Sequence, residues 1–179
     1  PLNDGDLVLI DAGAEYGGYA ADITRTFPVN GRYSNAQKEI YELVLAAQDA
    51  AIKKTIPGNH WNDPHNAAVK VLTKGMVELG LLKGKPAELI KKGSYSKYYM
   101  HRTGHWIGMD VHDVGDYKVD DEWRLLEPGM TLTVEPGLYI PAGSRGAKRW
   151  WNIGVRIEDD IVVTKDGCEL LTRGLPRTV

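Results

Sequence analysis

A pattern that occurs twice in this chain constrains its fold more than any other feature. Residues 5–13 align without a gap on residues 129–137. In each copy a glycine precedes a short apolar run, and a carboxylate, Asp11 or Glu135, follows that run two residues before the next glycine. Short apolar runs between turn residues are typical of buried strands. The repeat therefore predicts two related β-hairpins, with a chance similarity of two glycine turns as the alternative.

Each copy is followed by a second predicted strand that carries another acidic residue, Asp22 in the first hairpin and Glu158 in the second. The predicted strands are 7–10 and 19–27 in the first hairpin and 130–140 and 153–164 in the second. Apolar composition and turn residues at their ends support these assignments. If the two hairpins lie around a pseudo-twofold axis, four carboxylates meet near that axis.

Helical periodicity separates the two hairpins. Ser34 begins a capping-box pattern, and apolar residues then recur at helical spacing, which predicts a helix over 35–54. A second helix is predicted with Asp63 as its N-cap and Gly80 as its end, and a short amphipathic piece follows over 86–92.

The four acidic residues of the predicted strands need a physical explanation, because an unpaired charge in an apolar environment is costly. Asp11 has an ordinary alternative as a cap of its strand, and Asp22 has one as an exposed residue. Glu158 could form a surface ion pair with Arg156, since alternation puts both side chains on the same strand face. Considered together, the four carboxylates indicate a nearby cation.

Three of the five histidines, His101, His105 and His112, fall within twelve residues, and glycines bracket His105. His60 and His65 have no such pattern and are expected to be ordinary core or surface residues. One imidazole among four carboxylates suits Mn²⁺ or Mg²⁺, and it also admits Co²⁺, Fe²⁺ or Zn²⁺. Four carboxylates neutralise two divalent ions, and two ions roughly 3.5–4 Å apart can activate a shared water. This constellation predicts hydrolysis.

Composition excludes several other classes of protein. The chain has 179 residues, which favours one domain, and 22 Lys and Arg against 24 Asp and Glu leave no basic excess for a nucleic acid. No apolar run approaches the ~20 residues that cross a membrane. The single cysteine, Cys168, forms no intrachain disulfide and fits a reducing compartment. The chain lacks a starting Met, so we expect it to begin inside a longer protein.

Seven segments of the chain resemble the signatures of the pita-bread metallopeptidases, and among these the Xaa-Pro aminopeptidases match best. The segments are 11–13, 18–27, 104–108, 111–115, 127–130, 134–137 and 155–160. The resemblance implies an α+β, creatinase/aminopeptidase-like fold of two related hairpin units with flanking helices. Catalytic domains of this family carry further helices before the first hairpin. We therefore expect residues 1–179 to be the C-terminal portion of a catalytic domain whose fold is N-terminally incomplete here.

The resemblance also implies a role for each candidate residue. Asp11 would bind one metal ion, Asp22 and Glu158 would bridge two, and His105 and Glu135 would complete the second ion's ligands. Glu135 would also accept a proton from the attacking water. His101 and His112 would contact the substrate, and Arg156 would organise the ligands. The implied cofactors are two divalent ions, with Mn²⁺ expected first and Co²⁺, Fe²⁺ or Zn²⁺ as alternatives.

The implied activity is hydrolysis of the bond between an N-terminal residue and a following proline, so the expected partner is a peptide with proline at its second position. A cytoplasmic enzyme that forms a homo-oligomer at full length is expected. A prolidase acting on Xaa-Pro dipeptides is the nearest alternative, and methionine aminopeptidases match the motifs less well. A non-catalytic pita-bread module that binds protein or RNA is the alternative from another class.

Overall fold

The computed structural model describes all 179 residues, and it places the helices between two strand-rich regions, as the repeat predicts. The helices are α1 (Asn35–Ile52), α2 (Asn62–Glu78) and α3 (Pro86–Lys91). The strands are β1 (Leu7–Asp11), β2 (Thr24–Pro28), β3 (Lys118–Val119), β4 (Glu122–Trp123), β5 (Thr131–Val134), β6 (Gly137–Ile140), β7 (Ile153–Arg156), β8 (Asp159–Thr164) and β9 (Gly167–Leu170). None of the helices combines the length and the apolar character that a membrane crossing requires.

The first predicted hairpin is present. β1 and β2 are antiparallel, with Asp11 paired to Thr24. The same register continues to a two-residue turn at Gly17 and Gly18, whose φ angles are 61° and 83°. Both values lie in the left-handed region, which glycine adopts without a steric penalty, so this turn depends on the glycine pair.

The predicted strand over 19–27 is wrong in its first half, because β2 begins only at Thr24. The backbone before Thr24 keeps the hairpin register through a few hydrogen bonds, such as that from Ala21 N–H to the carbonyl of Ala14 at 3.1 Å. The N–H of Ala20 instead donates to the carbonyl of Gly108 at 2.8 Å. At Ala20 the backbone therefore bonds to the loop around Gly108 and not to β1. The sequence pattern of a single strand cannot predict a contact with a separate loop.

The second hairpin has the predicted pairing, but each of its two long strands is divided. β5 pairs with β8 and β6 pairs with β7, and one register runs through both ladders, with Val134 opposite Asp159 and Gly137 opposite Arg156. The predicted strands 130–140 and 153–164 are thus interrupted at the same level. By this register Glu135 lies opposite Glu158.

Competing backbone partners explain the interruption. Pro136 has no N–H to contribute to a ladder. The N–H of Glu135 donates to the carbonyl of Thr103 at 2.8 Å, and that of Glu158 donates to the carbonyl of Thr24 at 3.1 Å. At the two acidic residues the hairpin therefore bonds outward to neighbouring segments.

The registers also show that the second acidic residues of the two hairpins are not equivalent. Asp11 corresponds to Glu135 in the repeat, and their cross-strand neighbours are Thr24 and Glu158. Glu158 therefore corresponds to Thr24, two residues beyond Asp22. Side chains alternate with a period of two along an extended strand, so a shift of two residues leaves the carboxylate on the same face.

The core lies between the two long helices and the second hairpin. α1 contributes Ile40, Val44 and Ala47, which are fully buried, and α2 contributes Leu72 and Met76. The second hairpin contributes Leu138, Ile140, Val155, Ile157 and Ile161 to the same cluster. This packing holds in place the second hairpin, which carries Glu135 and Glu158.

The helix ends test the capping predictions. Ser34 caps α1 with both hydrogen bonds of a capping box, so that prediction is confirmed, and the helix ends at Ile52, two residues before the expected end. Asp63 is not the N-cap of α2, which begins one residue earlier, at Asn62. Its carboxylate instead accepts the N–H of His60 at 2.8 Å from within the first turn. A carboxylate in the first turn still interacts favourably with the helix dipole.

Two strand pairs have no counterpart in the sequence predictions. β9 pairs with β8 at the end of the chain. β3 and β4 form a two-residue ladder around Asp120 and Asp121, which adopt φ angles of 50° and 65°. Aspartate tolerates this left-handed conformation better than most residues, so the turn forms without glycine.

Replacing Ser34 by alanine should lower the free energy of unfolding by about 1 kcal/mol, because the N–H of Gln37 loses its acceptor at the start of α1. Urea unfolding followed by circular dichroism measures this change. Ser96→Ala is a matched control because Ser96 is exposed and lies outside the three α-helices. Equal losses in both variants would contradict the capping role.

Candidate metal centre

The five predicted ligands lie on five neighbouring extended segments. Asp11 ends β1, and Asp22 precedes β2. Glu158 lies between β7 and β8, next to β2, and Glu135 lies between β5 and β6. His105 lies on a further segment alongside β5. Each segment therefore contributes one ligand, and the structure brings all five predicted ligands together.

The segment that carries His105 extends the second hairpin by one irregular strand. The N–H of Thr133 donates to the carbonyl of His105 at 3.0 Å, and the N–H of Glu135 donates to the carbonyl of Thr103. Gly104 is essential to this approach, because a Cβ atom there would lie 2.0 Å from the carbonyl oxygen of Thr133. The glycine before His105 therefore has a steric reason.

The ligand atoms form three overlapping groups, within each of which all atoms lie within 4.8 Å of one another. The groups are Asp11, Asp22 and Glu158; His105, Glu135 and Glu158; and Asp22, His105 and His112. Asp22, Glu158 and His105 each belong to two groups. His112 was expected on the substrate side, and its ring centroid lies 4.1 Å from that of His105, so it is also within reach of a cation.

The surroundings of this cluster raise the pKa values of three of its carboxyl groups. Burial raises the pKa of Asp22 to about 7, with the nearby charge of Asp11 adding to the effect. Burial and the charges of Asp22 and Asp11 raise the pKa of Glu135 to about 7, although Arg156 opposes them. Burial and the charge of Glu135 raise the pKa of Glu158 to about 8. The cluster thus carries more negative charge than its surroundings compensate.

His105 points an electron pair at this negative charge. Its Nδ1 lies 2.9 Å from the carbonyl oxygen of Trp106, which can only accept, so Nδ1 carries the proton. Burial lowers the pKa of His105, so its Nε2 is unprotonated at neutral pH. That Nε2 lies 3.3 Å from Asp22 Oδ2 and 3.8 Å from Glu135 Oε1. A lone pair facing two carboxylates is unfavourable unless a cation lies between them.

Arg156 is the only lysine or arginine that forms ion pairs with the ligand carboxylates. Its guanidinium pairs with Asp11, and its Nε lies 3.9 Å from Glu158 Oε2. The same Nε donates to Thr24 Oγ1 at 3.1 Å, and Thr24 Oγ1 donates to Glu158 Oε2 at 2.5 Å. One guanidinium balances one of four carboxylates. The structure places Arg156 beside Asp11 and Glu158, where it does not neutralise the cluster.

A divalent cation fits this donor set. Four carboxylates and one imidazole supply oxygen-rich coordination, which suits Mn²⁺ and Mg²⁺ and accommodates Zn²⁺, Co²⁺ or Fe²⁺ through the nitrogen. A cation at this place would both compensate the negative charge and accept the lone pair of His105 Nε2. The residues present therefore fit the metal ions that the sequence predicts.

His101 lies next to the cluster in a chain of hydrogen bonds. Its Nδ1 lies 2.7 Å from the carbonyl oxygen of Arg102, so Nδ1 carries the proton and Nε2 accepts the hydroxyl of Tyr139 at 2.8 Å. Arg156 donates to the same hydroxyl at 3.3 Å. Burial lowers the pKa of His101, which keeps this acceptor neutral.

Sequence reasoning missed three residues that support the site. Tyr139 joins His101 to Arg156, and Thr24 joins Arg156 to Glu158. Asp160 Oδ2 accepts the N–H of Asp22 at 3.2 Å. The alternation of side chains in β2 and β6 could have placed Thr24 and Tyr139 on the ligand face. A single hydroxyl in a strand, however, does not indicate that it supports a metal site.

His65, which the sequence left as an ordinary residue, lies in the layer behind His101. Its Nδ1 lies 2.9 Å from Thr103 Oγ1, which also bonds the hydroxyl of Tyr99. The ring of Tyr99 packs edge-on against that of His101 at 5.0 Å. Because the carbonyl of Thr103 accepts the N–H of Glu135, this network connects the core to the ligands.

A cleft of about 890 Å³ opens beside the cluster. Five of the predicted site residues line it, namely His101, His105, His112, Glu135 and Arg156. An aromatic wall bounds it, made of Trp61, Tyr117 and Trp123. The cleft is large enough for a short peptide beside the ligands.

Comparison with known proteins shows which family this chain resembles. The model of metallopeptidase family M24 matches residues 1–165. The Xaa-Pro aminopeptidase of Haemophilus influenzae is 51% identical over 179 residues, which are 100% of this chain and 41% of that protein. The chain thus spans about two fifths of that relative's length.

Solved structures show the same similarity. An aminopeptidase of Pseudomonas aeruginosa superposes with a TM-score of 0.96 at 62% identity, over 98% of this chain and 40% of that one. A zinc-substituted aminopeptidase P of Escherichia coli, in complex with product, superposes with a TM-score of 0.92 at 50% identity, over 97% of this chain and 39% of that one.

Adding Mn²⁺ should raise the melting temperature of the protein by roughly 5–10 °C at 100 times the dissociation constant, because the ion binds the folded carboxylate cluster. Differential scanning calorimetry with and without chelator measures the shift. Asp22→Asn should abolish most of it, since Asp22 belongs to two of the three ligand groups. Glu169→Gln is the control, because Glu169 is an exposed carboxylate outside these groups. Equal shifts in both variants would contradict the assignment.

Acid should destabilise the protein through His65. Burial, together with the charge of Arg102, lowers the pKa of His65 from 6.5 to about 4, so its contribution to stability is complete above pH 6.5 and is lost as the pH falls toward 4. At pH 5 the loss should be about 2 kcal/mol. Urea unfolding at pH 7 and pH 5 measures it against His65→Asn, which keeps a hydrogen-bonding group near Thr103 but does not titrate. The same pH dependence in both proteins would exclude His65 as the source.

Proposed function

The chain belongs to metallopeptidase family M24, and we propose that it carries the metal centre and substrate cleft of an aminopeptidase that removes an N-terminal residue preceding proline. The observation that carries this proposal is the convergence of one histidine and four carboxylates, from five neighbouring segments, at the wall of a peptide-sized cleft. The match to Xaa-Pro aminopeptidase over the whole chain supports the specificity for proline.

The fold predicted from the resemblance is confirmed. A TM-score of 0.96 over 98% of the chain identifies the pita-bread fold of aminopeptidase P. Residues 1–179 correspond to about two fifths of such proteins. We propose that they form the C-terminal portion of the catalytic domain.

Two ions, rather than one, account best for the ligand groups. Two ions would be held by overlapping sets of these residues, because Asp22, Glu158 and His105 each belong to two of the ligand groups, and Asp11 and Glu135 to one each. Two divalent ions also balance four carboxylates. We assign Mn²⁺ as the first choice because of the oxygen-rich donor set. Bound ions of this kind supply Lewis-acid chemistry, lowering the pKa of water and stabilising a developing oxyanion.

Glu135 is placed to move the proton of the attacking water. Its carboxylate is half-buried at the cleft wall, with Oε1 3.8 Å from His105 Nε2. Its pKa of about 7 without a cation shows how strongly its surroundings favour the protonated state. A carboxylate in this position accepts a proton readily and can pass it to the leaving amine.

Three further side chains position the substrate. His101 is held neutral by burial and bonded to Tyr139, so its orientation is determined before substrate arrives. His112 is exposed at the cleft beside His105, where it can reach the peptide carbonyl. Arg156 binds Asp11 and Tyr139 and thereby holds both sides of the cluster.

The metal-loaded full-length protein should release alanine from Ala-Pro-Ala in the presence of Mn²⁺ and should act much more slowly on Ala-Pro. Asp22→Asn and His105→Ala should each abolish turnover, because each removes a ligand shared by two groups. Chromatographic detection of the released amino acid measures this activity.

Lys38→Gln is the control for this experiment, since Lys38 is exposed on α1 and pairs only with Glu42. Cleavage of the dipeptide alone would make the protein a prolidase. Retained activity in Asp22→Asn would refute the metal assignment, and no cleavage of either peptide by a metal-loaded protein would refute the peptidase.

A further inference from the structure

One wall of the cleft holds two cations over a single aromatic ring. The guanidinium carbon of Arg102 lies 5.0 Å from the ring centre of Trp123, and Lys118 Nζ lies 4.9 Å from it. Lys118 and Trp123 are also cross-strand neighbours in the β3–β4 hairpin. All three residues line the cleft that contains Glu135 and His105.

These two cations have no acidic partner within 4.0 Å, unlike Arg156 and Arg25, which pair with Asp11 and Asp159. Arg102 donates instead to the neutral amide oxygen of Asn62. Charges held beside an indole ring keep most of their attraction for an anion, because the ring contributes only a quadrupole.

The charge balance of the cleft favours an anionic ligand at this wall. Outside the metal ligands, the cleft is lined by Arg102, Lys118 and Arg156 against one carboxylate, Asp116. Two divalent ions neutralise the four ligand carboxylates. The loaded cleft therefore has a positive excess, and its two unpaired cations are at Trp123.

We propose that Arg102 and Lys118 form a subsite for a carboxylate on the leaving-group side of the scissile bond. This rests on the proposed function, and it makes short peptides with a free C-terminus, or longer peptides with an acidic residue after proline, the preferred substrates. The N-terminal ammonium of a peptide is repelled by the same two cations. The subsite therefore also orients the peptide, with its N-terminus toward the carboxylate cluster.

The wall is rigid enough to act as a subsite. Trp61 packs against Trp106 at 4.1 Å between ring centres and against Tyr117 at 4.8 Å. The backbone carbonyl of Trp123 accepts from His60 Nδ1 at 2.8 Å. Trp123 is thus anchored to the segment before α2, and the two cations are positioned before the substrate binds.

Steady-state kinetics of Ala-Pro-Ala and its C-terminal amide, in the metal-loaded full-length protein, test this subsite. Wild type should have a KM for the free acid about five-fold below that for the amide, with similar kcat, since an exposed charge pair contributes up to ~1 kcal/mol. Arg102→Gln and Lys118→Gln should each reduce this preference, and the double variant should lose it. The preference should also weaken at high salt.

A second pair of peptides separates the two sources of a carboxylate. Ala-Pro-Asp-amide should bind more tightly than Ala-Pro-Asn-amide in wild type if an acidic side chain reaches the subsite, and equally if only the C-terminus does. Lys97→Gln is the matched control, because Lys97 lies 5.3 Å from the ring of Tyr98, outside the cleft. It should leave the preference for the acid unchanged.

Equal KM values for acid and amide in wild type, or a preference that persists in the double variant, would overturn the subsite. Calorimetric binding of Pro-Ala and its amide gives the same comparison without turnover. If no peptide is cleaved, the proposed function fails, and the binding of Pro-Ala against its amide still decides whether the subsite exists.

Discussion

Repulsion among four carboxylates at the ends and breaks of neighbouring strands is the constraint on which the rest of this structure depends. Burial raises the pKa values of Asp22, Glu135 and Glu158 to between about 7 and 8, and one guanidinium, that of Arg156, pairs with the carboxylates of the cluster, at Asp11 and Glu158. Such a cluster is unfavourable by itself. Divalent ions remove this cost, so metal binding and the stability of the strands around the site are coupled.

Backbone hydrogen bonds made at the strand breaks connect the segments that carry the ligands. At Glu135 and Glu158 the hairpin ladder is interrupted, and each backbone N–H donates to a neighbouring segment, at Thr103 and Thr24. The backbone of one ligand-bearing segment thus holds the next, from β1 across to the segment of His105. The second acidic residue of the first hairpin, Asp22, lies two residues before the position equivalent to Glu158, and Thr24 occupies that position. A threonine hydroxyl therefore lies next to Glu158 where a second carboxylate would repel it. The hydrogen bond from Thr24 to Glu158 results from that shift.

Local patterns were sufficient to predict most of the elements and the four acidic candidate ligands, whereas the family resemblance selected His105 among three clustered histidines. A capping box and helical spacing predicted α1 to within two residues, and glycine turns before apolar runs predicted both hairpins. The ligands were predictable because Asp11, Glu135 and Glu158 adjoin apolar strands, where a charge needs a partner. The N-cap of α2 was not predictable from local patterns. Aspartate is a preferred N-cap residue and tryptophan is not, yet Trp61 is the N-cap and Asp63 lies in the first turn.

The sequence by itself determined the two hairpins, the long helices and the four carboxylates, because these depend on neighbours within one element. Only the tertiary structure decided where each strand ends and which hydroxyls and cations reach the site. Thr24 and Glu158 are separated by 134 positions in the chain, and Arg156 and Asp11 by 145. The positions of Tyr139, Arg102 and Lys118 follow from the same packing. No periodicity within a segment encodes contacts over such separations, since they arise only when segments lie side by side and share hydrogen-bonding groups.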